Sequence, residues 1–217
     1  LSVFANENVD LDGHTPGRFT MDLDAATKYA AQKGLPLLLN FTGSDWCGWC
    51  KIMDKNVFTK ESWQTYAKDN VVMVWIDFPK NKSLVPEKYV ARNSQLQSKY
   101  AVKGFPSYLL IDAKSNSVIG KLGAGRDKTP ESFKAEVNSL ASMTSNKVQA
   151  FAKSLGAEKG PEYLRMFKKI KQNEIDLKKA QEEYTKTTTE LTAEINSLKS
   201  TMEETRVTSR LKPEQIN

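Results

Sequence analysis

The sequence FTGSDWCGWCK, residues 41–51, decides the fold of this chain because it holds both cysteines, Cys47 and Cys50. A short apolar run from Pro36 to Phe41 leads into it, and a run of this length favours a buried strand over a helix. Turn residues come next, and a helical pattern begins at the cysteines. The stretch therefore predicts a strand, a tight turn and a helix, with the cysteine pair where the helix starts.

This placement gives the two cysteines different predicted roles. Unpaired backbone N–H groups and the positive end of the helix dipole favour a thiolate at Cys47. A thiolate, and not a thiol, attacks a disulfide. Cys50 lies one turn inward, where it is more buried and keeps its proton longer. We therefore predict that Cys47 is the catalytic nucleophile and that Cys50 is the catalytic residue that resolves the mixed disulfide.

Two other interpretations of the cysteine pair stay open. A structural disulfide between residues 47 and 50 would close a very short loop and remove little entropy from the unfolded chain. Half of a zinc site shared across a dimer would need four ligands in total. Cys47, Cys50 and the single histidine, His14, cannot supply four within one chain. We predict no metal and no cofactor.

The rest of the first two thirds of the sequence alternates predicted strands and helices. Helices are predicted to begin at Asp22, Thr59, residue 89 and Thr129, and further strands to cover 71–77, 107–111 and 118–120. This order predicts an α/β fold, a sheet with helices on both faces. The predicted domains are an irregular lead-in over 1–20, the α/β domain over 21–144 and a helical extension over 145–217.

The helical extension carries a seven-residue repeat of apolar residues. The repeat consists of Ile170, Leu177, Tyr184, Leu191 and Leu198. A coiled coil needs a second apolar position in each heptad, and in the middle of this helix that position is polar. The pattern therefore predicts a half-formed coiled-coil seam. We predict a short helix over 146–156, a turn over 156–161, and a long helix that joins two chains into a homodimer through 161–205. The alternatives are a helix folded back on the domain and a helix that is frayed in solution.

Charge and hydropathy exclude two classes of partner. The formal net charge is +6, yet no basic stripe interleaved with aromatic residues is present, so we predict no nucleic-acid binding. No run of eighteen apolar residues occurs, so we predict no membrane span. The first residue is Leu1 and not a methionine. Removal of a secretory signal is one explanation for this start, and it is the one that we expect.

Two motifs within residues 20–143 resemble the thioredoxin superfamily. They are Trp46-Cys47-Gly48-Trp49-Cys50-Lys51 and Val102-Lys103-Gly104-Phe105-Pro106-Ser107. Residues 41–46 look most like exported bacterial thioredoxin-like proteins that are classed as disulfide isomerases. These are similar to the C-terminal reductase domain of the thiol:disulfide interchange protein. The resemblance implies a thioredoxin fold, a central mixed sheet flanked by helices, here with a long C-terminal helical extension.

The resemblance also implies a substrate-binding surface. Pro106 would follow a cis peptide bond and pack beside the cysteines, and the backbone around Phe105 would pair with the substrate chain as an added strand. Trp46 and Trp49 would lie on the exposed rim of the same surface. The alternative for Pro106 is an ordinary strand-start proline, and the alternative for Trp46 and Trp49 is simple core filling.

One feature of familiar thioredoxins is missing. The buried acid that helps to remove a proton from the resolving cysteine has no clear match, and Asn40 is its nearest equivalent. The lysine that accompanies this acid is replaced by Trp75. Proton removal from Cys50 would then depend on water, on Asp45 or on the substrate.

These observations predict an exported, periplasmic bacterial thiol–disulfide oxidoreductase. Its partners would be protein or peptide disulfides and a redox partner protein. The dipeptide Gly48-Trp49 lacks a histidine that would stabilise the reduced thiolate, which favours a reductase or isomerase over an oxidant. The alternatives are a binding or scaffold protein that uses the C-terminal helix, and a dedicated electron carrier to a cytochrome-maturation factor.

Overall fold

The computed structural model describes residues 9–211, with side chains to residue 208, and divides into two compact units. The first unit ends at Ser154 and contains a six-stranded sheet with its helices. The second unit is a single long helix. Residues 1–8 and 212–217, which belong to the predicted lead-in and extension, lie outside the described residues.

The sheet is mixed, in the order β1-β2-β4-β3-β5-β6. Its strands are β1 Val9–Asp10, β2 Phe19–Thr20, β3 Pro36–Thr42, β4 Val72–Asp77, β5 Ser107–Asp112 and β6 Ser117–Leu122. The first four in this spatial order run parallel, and β5 and β6 are antiparallel to their neighbours. This arrangement confirms the predicted α/β fold.

The helices of the first unit cover both faces of the sheet. They are α1 Leu23–Lys33, α2 Gly48–Met53, α3 Glu61–Asn70, α4 Glu87–Lys99, α5 Pro130–Ala141 and α6 Ser145–Ser154. Leu38 of β3 packs in the core cluster that holds Trp63 of α3 and Phe133 of α5. Leu39 packs on the opposite face with Ala26 of α1. Because both faces are buried, the central strands are continuous apolar runs.

Local capping explains why two of the predicted helices begin where they do. Asp22 accepts a hydrogen bond from the backbone N–H of Ala25, and α1 ends at Gly34, whose φ of 69° is left-handed. Thr129 caps α5 in a reciprocal hydrogen-bonded pair with Ser132, and Pro130 occupies the first helical position. Both predicted starts are confirmed.

The predicted irregular lead-in over 1–20 was wrong where the structure describes it, because β1 and β2 extend the sheet. Their two-residue length leaves no periodic pattern in the sequence. Phe19 is held instead by tertiary packing, with its ring centroid 5.2 Å from that of Phe58 and 5.0 Å from that of Trp75.

A π-helical turn over Asp54–Phe58 separates α2 from α3. Thr59 therefore ends this turn and does not start α3, whose first cap is Lys60. The prediction was wrong because the Thr59 hydroxyl bonds back to the Asp54 carbonyl at 2.9 Å. Hydrogen bonding of this kind competes with N-capping.

The first unit ends later than the predicted boundary at residue 144. Helix α6 belongs to it, with Val148 and Ala152 buried. The Asp112 carboxylate, at the end of β5, accepts a hydrogen bond from the Ser145 N–H at 2.6 Å. A side-chain contact between such distant residues leaves no local signal in the sequence.

The second unit is α7, Gly156–Leu211, a helix of 56 residues. The predicted turn over 156–161 is limited to its first residue, Gly156, whose φ of 80° is left-handed, because the helix continues through Pro161. Pro161 lies near the helix N-terminus, so the missing N–H leaves only one carbonyl without its bond. None of the helices between residues 9 and 211 has the length and apolar character needed to cross a membrane.

Candidate active site

Cys47 and Cys50 form a disulfide at the N-terminus of α2. Cys47 is the cap residue of the helix, and its Sγ accepts a hydrogen bond from the backbone N–H of Cys50 at 3.2 Å. Cys47 is 5% exposed and Cys50 only 1%, so the Cys47 sulfur is the more accessible one. The structure therefore places both cysteines as predicted, with one N–H already directed at the Cys47 sulfur.

The loop before Cys47 is held by backbone and carboxylate contacts. The Gly43 carbonyl accepts a hydrogen bond from the Cys47 N–H at 2.8 Å. A Cβ at Gly43 would lie 2.4 Å from the indole of Trp46, so any larger residue there would displace that ring. Asp77 at the end of β4 accepts the Ser44 N–H at 2.9 Å. These contacts fix the approach of the chain to the helix.

An aromatic group lies on one side of the cysteine pair. The Trp46 indole N–H donates to the Phe78 carbonyl at 2.8 Å, and its ring centroid is 5.8 Å from that of Phe105. Trp46 remains 42% exposed. The peptide bond between Phe105 and Pro106 is cis, as expected. The structure therefore gathers Trp46, Phe105 and Pro106, three of the four predicted substrate-binding residues, at one edge of the site.

Trp49, the fourth predicted substrate-binding residue, lies beside a cation. It is 47% exposed, and the Arg126 guanidinium lies 5.3 Å from its ring centroid. The Arg126 carbonyl accepts a hydrogen bond from the Asn56 side chain at 3.0 Å, which holds this loop against the π-helical turn. Sequence reasoning missed Arg126, because nothing near it in the chain connects it with the cysteines.

Asn40 of β3 is a buried polar residue on the sheet face that α3 and α5 cover. In the strand register Asn40 pairs with Trp75 on one side and with Tyr108 on the other. Asn40 is buried, and its Oδ1 has no hydrogen-bond partner among residues 9–208. The register therefore places Trp75 directly opposite Asn40. No acid occupies this position on β3.

Two acids, Asp54 of the π-helical turn and Asp77 at the end of β4, lie close enough for the charge of one to act on the other. Burial raises the pKa of Asp54 to about 7, and the nearby charge of Asp77 adds to this effect. Burial also raises the pKa of Asp77, against hydrogen bonds from Ser44 that lower it. Asp54 was missed by sequence reasoning. Its spacing of four residues from Cys50 on a helix was the signal that could have found it.

The arrangement can exchange disulfides without a metal or cofactor in any step. The reduced form would carry a nucleophile at the helix N-terminus and a second thiol one turn inward. The oxidised form holds the same two sulfurs in a disulfide. Trp46 and Trp49, the neighbours of Cys47 and Cys50 in the sequence, are exposed at 42% and 47%.

Comparisons with known proteins agree with this geometry. Residues 18–113 match the family model described as Thioredoxin-like. The disulfide bond reductase DsbH of Chlamydia pneumoniae is 36% identical over 93 residues, which are 43% of this chain and 55% of that protein. The thioredoxin-related protein DsbJ of Chlamydia pneumoniae is 28% identical over 121 residues, 55% of this chain and 34% of that protein.

A solved structure described as DsbH oxidoreductase is also similar. It superimposes with a TM-score of 0.53 at 27% identity, covering 62% of this chain and 85% of that one. The chain spans about half the length of the first curated relative, 55%, and about a third of the second, 34%. Residues 18–113 of this chain therefore form a domain with the thioredoxin fold, similar to the Thioredoxin-like family.

Proposed function

We propose that this chain is a thiol–disulfide oxidoreductase that reduces or isomerises protein disulfides through Cys47 and Cys50. The observation that carries the proposal is the disulfide at the N-terminus of α2, with the Cys50 N–H directed at the Cys47 sulfur. The similarity to a disulfide bond reductase supports the same assignment.

The proposed reaction uses the reduced form. The Cys47 thiolate attacks one sulfur of a substrate disulfide, and the other substrate sulfur leaves as a thiolate. Cys50 then attacks the Cys47 sulfur of the mixed disulfide, which releases the second substrate thiol and closes the Cys47–Cys50 disulfide. Two electrons pass from the protein to the substrate. The exposed rings of Trp46 and Trp49 would contact apolar substrate residues on either side.

Insulin reduction tests this function. We expect the protein to accelerate precipitation of the insulin B chain in dithiothreitol, because it supplies a thiolate more readily than the free reagent does. Turbidity against time measures the rate, and dithiothreitol alone is the control. A rate no higher than that control would contradict the proposal. It would favour a binding or scaffold protein, or an electron carrier to one dedicated partner.

The direction of electron flow follows from the reduction potential of the Cys47–Cys50 couple. Equilibration with glutathione buffers measures it: about −270 mV indicates a reductase and about −120 mV an oxidant. We propose the reductase or isomerase direction, because Gly48-Trp49 lacks a histidine. We also propose an exported, periplasmic location, because residues 41–46 resemble those of exported bacterial thioredoxin-like proteins.

We propose that α7 joins two chains in a coiled-coil homodimer through 161–205. The seven-residue repeat is exposed in the single chain, with Leu177 at 61%, Tyr184 at 74% and Leu191 at 53%. Exposed apolar rows of this kind are covered by a second helix in coiled coils. Glu194 and Lys199 occupy the flanking positions where ion pairs form between helices of a parallel dimer.

Sedimentation equilibrium at micromolar concentration tests the dimer. We expect a dimer mass for the wild type and a monomer mass for Leu191→Glu, because the substitution puts a charge in the seam. Ala193→Glu is the matched control, since residue 193 lies on the opposite side of the helix and should leave the dimer intact. A wild-type monomer would refute the pairing.

A further inference from the structure

We propose that the protein selects polypeptide disulfides flanked by acidic residues, through Arg126 beside Trp49 and through Lys103 and Lys121 beside Pro106. This inference rests on the proposed oxidoreductase function and deepens it, because it names the class of substrate. The exchange reaction itself uses the two cysteines and the exposed tryptophan rings. It leaves these three cations without a role.

The guanidinium of Arg126 lies next to the cysteine motif with its charge unpaired. Its Cζ atom is 5.3 Å from the centroid of the Trp49 ring, and Trp49 directly precedes Cys50. A guanidinium over a ring uses its flat face and keeps its in-plane N–H donors available. Among residues 9–208, no acceptor bonds to these donors and no carboxylate pairs with them. Such a fork of donors can bind a carboxylate with two parallel hydrogen bonds.

The loop that carries Arg126 is fixed by contacts within the domain. The Arg126 carbonyl accepts a hydrogen bond from the Asn56 side chain at 3.0 Å. Lys128 of the same loop pairs with Glu136, so its charge is compensated inside the domain. Asp127 follows Arg126 in the chain, yet the two side chains form no ion pair in the described structure. Arg126 is therefore the cation of this loop that remains for a ligand.

A cavity of about 390 Å³ lies beside Pro106, and two lysines border it. Its lining includes Lys103 and Lys121 together with Gly104. A Cβ at Gly104 would meet nothing within 4 Å, so the space there is open. Neither lysine has an ion-pair partner in the part of the chain whose side chains are described. The cavity therefore has room for a substrate side chain, and its unpaired ammonium groups suit a carboxylate.

The acid that precedes the motif does not offset these charges. Asp45 accepts hydrogen bonds from the backbone N–H groups of Lys80 at 3.0 Å and Asn81 at 2.8 Å, which compensate its negative charge. The ammonium group of Lys51 donates to the Asp45 carbonyl at 2.8 Å and adds a further cation next to the motif. The face around the cysteines is therefore positively charged, and an acidic polypeptide complements it.

Exposed charges of this kind act mainly on the rate at which partners associate. The preference should therefore appear in the second-order rate constant for attack on the substrate disulfide. Because salt screens exposed charges, the preference should also weaken as the ionic strength rises.

Three peptides test the preference, each with one intramolecular disulfide flanked by glutamate, glutamine or lysine. The reduced protein is mixed with excess peptide, and mass spectrometry of acid-quenched samples gives the rate constant. Each constant is divided by that of dithiothreitol, an uncharged reductant, to remove differences in the reactivity of the peptides. We expect the wild type to reduce the acidic peptide at least about tenfold faster than the basic one at low ionic strength. In about 1 M salt the ratio should approach one.

Charge reversal at residue 126 separates a role in specificity from structural damage. Arg126→Glu should lower the acidic-to-basic ratio at least about fivefold, because it replaces an attraction with a repulsion. Lys103→Glu should lower the same ratio. A structural effect would slow all three peptides by one factor and leave the ratio unchanged. Lys114→Glu is the matched control and should keep the wild-type ratio, because it changes the same charge in the turn after β5, at the sheet edge where β3 begins.

The possible outcomes distinguish the substrate preference from the oxidoreductase function. A wild-type ratio close to one at low ionic strength, or a faster reaction with the basic peptide, would overturn the preference alone. A wild-type ratio in Arg126→Glu would overturn the assignment of the preference to Arg126. If none of the three peptides is reduced faster than in buffer without protein, the oxidoreductase function is overturned, and the preference with it.

Discussion

Cys47→Ala is expected to abolish insulin reduction, and Cys50→Ser is expected to leave the protein joined to its substrate. Alanine at residue 47 removes the nucleophile at the N-terminus of α2, so no mixed disulfide forms. Serine at residue 50 keeps that nucleophile but has no sulfur to attack the Cys47 bond. The attack of Cys47 on the substrate disulfide then proceeds, but the mixed disulfide is not resolved.

Mass spectrometry of the protein mixed with an oxidised peptide measures this difference. Cys50→Ser should carry one disulfide-linked peptide per chain, released by dithiothreitol, whereas Cys47→Ala should carry almost none. The insulin rate of Cys47→Ala should fall to the dithiothreitol background, a loss of at least about a thousandfold in the protein-dependent rate. A peptide attached mainly through Cys50 in Cys47→Ala would show that the predicted order of the two cysteines is reversed.

Phe58→Ala is expected to lower the free energy of unfolding by about 3–5 kcal/mol. Phe58 is 5% exposed, and its ring centroid lies 5.2–5.6 Å from four other aromatic rings. These rings belong to Phe19, Trp63, Tyr108 and Phe133. Alanine would leave a cavity at the point where β2, α3, β5 and α5 meet the π-helical turn.

Urea denaturation of the oxidised protein measures the loss of stability. Val118→Ala on the edge strand β6 is the matched control, because Val118 is 41% exposed and its truncation should change stability by no more than about 0.5 kcal/mol. If Phe58→Ala lowers the free energy of unfolding by less than about 1 kcal/mol, the four aromatic rings around Phe58 do not hold the π-helical turn in place.

Several elements were predictable because their signals are local. Asp22 and Gly34 bound α1 by capping chemistry that needs only neighbouring residues. The apolar run before Thr42 had the length of a buried strand, and β3 covers Pro36–Thr42. The two short strands at Val9 and Phe19 had no such signal, because long-range pairing alone defines them.

By itself, the sequence determined the α/β fold, the strand before the cysteines and the position of Cys47 at a helix N-terminus. These features depend on residue spacing along one element, which the order of residues contains. Only the tertiary structure decided that Asp77 lies close enough to Asp54 to raise its pKa and that Arg126 lies over Trp49. Such contacts join residues from different elements, so they depend on strand register and helix packing, which no local pattern records.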